Sequence, residues 1–128
     1  MAVVAGGLVL AAAIVTGRPA DDKREWPRVV ATVTAIPTYC PDDARPFQVT
    51  IRNLASRAVS SATFRLHEEP LPAGTLPSDM PRVSLDAPLP RGQAVSGCHA
   101  LNRYRLIARG VEPRSVHFVP MPESIVFD

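Results

Sequence analysis

Lysine is almost missing from this chain of 128 residues: one Lys stands against 13 Arg, and the arginines are spread from Arg18 to Arg114 without a run. The net charge is only +2. A surface that tracks a phosphate backbone needs clustered basic residues, so the pattern argues against nucleic acid as a partner. The Arg-for-Lys bias beside abundant Ala and Pro has the look of a GC-rich bacterial coding sequence, and no function follows from it. Also missing are a Cys-x-x-Cys pair, a Gly-x-Ser-x-Gly elbow and a phosphate-binding loop, which removes the common sequence signals for thiol redox, serine hydrolase and nucleotide chemistry. Apart from the N-terminal run, no stretch of about twelve residues carries a clean apolar stripe of period 3.6. Strands are left as the main element.

What is present begins with Ala2–Thr16, fifteen uncharged residues closed by Gly17, Arg18 and Pro19. As a helix this run spans about 22 Å at 1.5 Å per residue, short of a hydrocarbon layer of roughly 30 Å, so its length suits an export signal better than a full span. Val15 and Gly17 place small or modest residues ahead of a cut before Arg18. Against a cleaved signal, no basic residue precedes the run; a start upstream of Met1 or a retained anchor through residues 2–16 both account for that. Arg18, Lys23, Arg24 and Arg28 after the run favour a cytoplasmic side, diluted by Asp21, Asp22 and Glu25. A buried element of the domain is a third reading of the run. The chain therefore divides into residues 1–17 as signal peptide or membrane anchor, 18–27 as a polar spacer, and 28–128 as one domain, about 100 residues being enough for one core.

Cys40 and Cys98 are the only cysteines. An even count behind an export-like start favours a structural disulfide, with two buried free thiols as the alternative. Such a bridge closes a loop of about 59 residues and contributes roughly 4 kcal/mol by chain entropy.

The domain reads as short strands. Arg28–Ile36 is β-branched and stopped by Pro37. In Phe47-Gln-Val-Thr-Ile-Arg52 the apolar Phe47, Val49 and Ile51 alternate with polar residues, and Ala62, Phe64 and Leu66 repeat the pattern against Thr63, Arg65 and His67. A polar turn at Asn53–Arg57 joins the two runs as a predicted hairpin. Six of the fourteen prolines lie from Pro70 to Pro90, so that stretch is a long connection with room for one edge strand at Arg82–Asp86. Gln93–His99 is a strand carrying Cys98. Tyr104–Arg109 reads as a strand confined by Gly110 and Pro113, and Ser115–Val119 and Ser124–Phe127 are two strands split by Pro120 and Pro122. The expectation is an all-β fold, a small immunoglobulin-like antiparallel β-sandwich of six to eight strands behind an N-terminal hydrophobic helix, with a small open barrel as the alternative. The tryptophan that marks true immunoglobulin domains between the two cysteines is missing, since Trp26 precedes both.

Cys40, Val49-x-Ile51-x-Asn53, Phe64-x-Leu66, the Gly92 turn and Cys98 together resemble the pattern of short exported bacterial proteins of unknown function. The resemblance covers Cys40–Cys98 and implies a sandwich; it brings no activity.

Candidate chemistry is sparse. His67, Glu68, Glu69, His99, His117, Met80 and Met121 are the available metal ligands, and no histidine pair has ligand-like local spacing. Asp42-Asp43 is the most concentrated acidic spot and reads as a solvated loop. No catalytic residue, metal or cofactor is expected. By elimination the chain is a non-catalytic protein of the bacterial envelope, periplasmic or tethered, acting through contacts with another envelope protein, with a small metal-binding protein as the alternative. The candidate contact surface is the proline-rich connection with Leu71, Leu76, Met80 and Leu85. A loop wrapped onto its own core is the competing reading of those four.

Overall fold

A computed structural model describes residues 23–69, 74 and 80–128. The expected signal or anchor at 1–17, and Leu71 and Leu76 of the expected contact loop, lie outside the described residues. Among these, six strands form: β1 Val29–Thr34, β2 Phe47–Asn53, β3 Val59–Glu69, β4 Arg82–Leu85, β5 Ala94–His99 and β6 His117–Phe127. One short helix, α1, spans Arg103–Ala108, and single 3-10 turns occupy Trp26–Arg28 and Pro113–Ser115.

The strands form two antiparallel sheets of three, in the orders β1-β2-β5 and β4-β3-β6. Both contribute to one core. Val29, Phe47, Val49 and Ile51 come from the first sheet and Val59, Phe64, Leu66, Phe118 and Ile125 from the second, all within one buried cluster. Phe47 and Phe118 meet edge to face across the sheets, ring centroids 5.2 Å apart, the arrangement that ring quadrupoles favour. The alternation at 47–52 and 62–66 predicts these core faces correctly: Phe47, Val49, Ile51, Ala62, Phe64 and Leu66 are all buried.

Three expectations are corrected. β2 and β3 are not a hairpin: each pairs with other strands, and the segment between them crosses from one sheet to the other. Asn53, fully buried, holds that crossing. Its Nδ2 donates to the carbonyls of Arg57 (2.9 Å) and Leu89 (3.0 Å), and its Oδ1 accepts from the Ala55 N–H (2.9 Å).

Tyr104–Arg109 is helical rather than extended. Leu101 and Asn102 take positive φ (39° and 52°) and turn the chain out of β5. Gly110, at φ 74°, then ends the helix, with its N–H bonded to the Ile107 carbonyl and that of Val111 to Leu106. This is a Schellman cap, in which glycine takes the left-handed position and an apolar residue follows it. Leu106 is fully buried and pins the helix to the core.

Residues 117–127 make one strand through Pro120 and Pro122, not two. β6 is an edge strand, where a missing N–H can face away from the ladder. The pairing slips between Thr63↔Ser124 and Phe64↔Pro122, leaving Glu123 as the extra residue of a bulge. Ahead of β1, Trp26 packs partly buried against the core, and the Glu25 carboxylate accepts hydrogen bonds from the Ser56 hydroxyl and N–H.

Candidate functional site

β1, β2, β5 and β6 bring one end of the molecule together, where the β1–β2 loop (residues 35–46), α1 and the Pro113–Ser115 turn meet. Cys40 and Cys98 are joined there as a disulfide, with Cα atoms 5.9 Å apart. The bridge ties the loop to the last strand of the first sheet.

Arg114 makes a second tie. Its guanidinium donates to the carbonyls of Cys40 (2.8 Å), Ala35 (3.3 Å) and Pro46 (3.3 Å) and to Asp43 Oδ1 (3.1 Å). Four acceptors around one planar fork fix the loop from inside, a task that suits arginine and not lysine. The Glu112 carboxylate in turn accepts from the Arg114 N–H at 2.9 Å and caps the turn that carries it. Nothing local in the sequence marks Arg114, because its acceptors lie some seventy residues earlier in the chain.

Beside this clamp lies an open cleft of about 500 Å3 between α1 and the loop, lined by Asp43, Pro46, Arg103, Ile107 and residues 110–114. Its lining offers no histidine, thiol or hydroxyl nucleophile. Exposed apolar side chains stand on α1 and on the loop. Tyr104 on α1 is 82% exposed and Tyr39 on the loop 59%, with Ile36 and Ile107 also well exposed. Large rigid rings presented to solvent on a fixed scaffold suit protein contact better than chemistry.

Comparison with protein-family models, with characterised proteins and with solved structures returns no match. The site is therefore read on its own geometry.

The residues singled out in sequence do not converge on that end alone. Cys40 and Cys98 are there. Met80 and Leu85, expected in a contact loop, are buried in the interior and contribute packing rather than surface. The β3–β4 pairing turns β4 inward at Val83 and Leu85. Among the possible metal ligands, His67 and His117 sit on neighbouring strands of the second sheet, with His117 opposite Glu69, while His99 lies on β5 of the first. Among the described residues no group of three or more His, Cys, Asp or Glu is placed to hold a metal ion, and no helix is long and apolar enough to cross a membrane.

His99 stands apart for another reason. Burial, reinforced by the nearby charge of Arg45, holds its imidazole below the usual histidine range, so it is neutral at pH 7. It lines a second feature, an apolar groove between β5 and β4.

Proposed function

We propose that this chain is a non-catalytic protein of the bacterial envelope, exported or held by residues 2–16, whose immunoglobulin-like sandwich acts through protein–protein contacts at its disulfide-bearing end. The sandwich reading is supported by the strand orders. First, second and fifth strands in one sheet, with third and sixth adjacent in the other, are the order expected of an immunoglobulin-like arrangement with six of its seven strands among the described residues. The Cys40–Cys98 bridge fits an oxidising compartment.

The observation that carries the functional reading is the exposure of Tyr39 and Ile36 on the β1–β2 loop, which the disulfide and Arg114 hold, and of Tyr104 and Ile107 on α1, whose Ile107 lines the cleft. Binding costs less when the contact residues need no ordering, and tyrosine brings large contact area at little rotamer cost. The groups that line the cleft suit recognition: the Ile107 and Val111 side chains, the Arg103 guanidinium and the Asp43 carboxylate.

The test is copurification from a native envelope extract under mild conditions. A stoichiometric protein retained by the unaltered chain and lost with Tyr104→Ala combined with Ile107→Ala supports the reading. A chain that retains no protein, or retains one indifferent to both substitutions, contradicts it.

A further inference from the structure

The two sheets meet differently on their two sides. On one side β1 runs along β6, and β6 carries Pro120 and Pro122, which have no N–H to offer a further strand. On the other, β4 has only four residues and bears Arg82, while β5 ends its sheet with no strand beyond it among the described residues. Free edges are usually guarded by proline, by charge or by a bulge. Between Ala94 and Cys98, β5 has neither charge nor proline.

Its register with β2 sets which side chains face the core. Val95, Gly97 and His99 stand with the buried Ile51, Val49 and Phe47, and Ala94, Ser96 and Cys98 face out. Val95, although it faces inward, is 43% exposed. A Cβ on Gly97 would meet only the His99 ring, at 3.4 Å. The groove that results, about 270 Å3, is lined by Val49, Ile51, Val83, Leu85 and Val95.

We propose that β5 pairs antiparallel with β5 of a second copy of this chain, extending the first sheet across a two-fold axis to six strands and covering the groove. The strand itself selects a copy as the occupant, because it is self-complementary. With the two Ser96 residues opposite each other on the axis, each Val95 faces the other copy's Gly97, so the large inward side chain of one strand meets the gap in the other. On the outer side each Ala94 faces a Cys98. The strand is uncharged from Ala94 to Cys98, so the pairing sets no like charges opposite one another within it, and the two-fold repeats every contact. Arg52, beside Ala94 on β2, falls at opposite ends of the paired sheet in the two copies. This interface is separate from the loop end, and it stands or falls independently of the contact proposed there.

Two measurements on the full chain test it. The first is the mass in solution of the unaltered protein and of Val95→Lys, an inward-pointing charge on an edge strand that blocks pairing while its stem still packs on the groove. The second is disulfide cross-linking of Ser96→Cys under mild oxidation, with Ser124→Cys on the other sheet as the control. The expected result is a dimer whose dissociation constant rises at least ~10-fold in Val95→Lys, with an unchanged circular dichroism spectrum. Ser96→Cys, and not Ser124→Cys, forms a covalent dimer through position 96 with the Cys40–Cys98 bridge intact. A monomer at high micromolar concentration overturns the proposal. So does a dimer that ignores both positions, or a β5 edge protected only by a different copurifying protein.

Discussion

Asn53 is the one polar side chain fully buried among the described residues, and its amide is hydrogen-bonded through both Nδ2 and Oδ1. Replacing it with alanine removes the side-chain partners of the Arg57 carbonyl and the Ala55 N–H and leaves the Leu89 carbonyl with only the Val59 N–H, so Asn53→Ala is expected to lose about 3 kcal/mol in urea unfolding. Arg114 is the comparable residue at the other end, and Arg114→Ala is expected to lose about 2 kcal/mol while raising amide exchange in residues 35–46. A cost without faster exchange in that loop would mean the clamp is not what orders it. His99 gives a pH signature. Its folded-state pKa lies below the ordinary 6.5, so the folded state prefers the neutral ring. Its contribution is whole above about pH 6.5 and declines as the pH falls toward the folded value. Melting temperature should therefore fall on acidification from about pH 6.5, and His99→Gln should flatten that part of the profile. At this scale the sequence was only partly legible. Phe47, Val49, Ile51, Phe64 and Leu66 announce their burial by alternation, whereas Asn53 and Arg114 act on groups that no local pattern connects to them.

Among the elements, α1 and β6 show why the rest was hidden. Gly110 and Pro113 bound a short segment, and a bounded segment with Leu106 and Ile107 fits a strand as well as a helix. The deciding signal is Leu106 followed four and five residues later by Gly110 and Val111, the spacing of a Schellman cap. Gly110→Ala should cost about 1 kcal/mol by forcing a Cβ into the left-handed region, and leave β6 unaffected. In β6 two prolines suggest a break, but on an edge strand they are tolerated, and the bulge at Glu123 absorbs the slip in register. That bulge has a charge role. Arg65 and Arg82 lie directly opposite on β3 and β4, a repulsive arrangement by itself. The Glu123 carboxylate accepts from both. Its pKa is lowered, first by the hydrogen bond from Arg82 and then by that from Arg65, so this stability is present above the ordinary value near 4.5 and lost as the pH falls below it. Glu123→Gln should lower the melting temperature at neutral pH, and more so at low salt, where the exposed arginines repel over a longer range. An effect indifferent to salt would assign the loss to packing instead. The β2–β3 hairpin failed for a related reason: two alternating strands bury the same residues whether they pair in one sheet or face each other across two. The choice falls to β5, which takes the free edge of β2 with His99 opposite Phe47 and Ala94 opposite Arg52.

At the scale of the molecule, the sheets divide the work between two ends and two sides. The Asn53 end closes the core, the opposite end carries the disulfide, the Arg114 clamp and the exposed tyrosines, and the β4–β5 side stays open. All-β character and the cysteine pair were legible from composition, strand alternation and an even cysteine count. The proposed contact surface was not, because Met80 and Leu85 are buried while Tyr39 and Tyr104 are isolated in sequence and exposed on different elements. Reduction and alkylation of Cys40 and Cys98 should lower stability by about 4 kcal/mol through the loop they close, and should mobilise the β1–β2 loop before the strands melt. The central claim is that the loop end is the contact surface, and site-specific photo-cross-linking in the native envelope tests it most directly. A photoreactive residue at Tyr104 is compared with one at Leu54, which is 54% exposed at the opposite end. The account predicts one discrete cross-linked protein from position 104 and none from 54; equal capture from both positions, or capture from 54 alone, would contradict it.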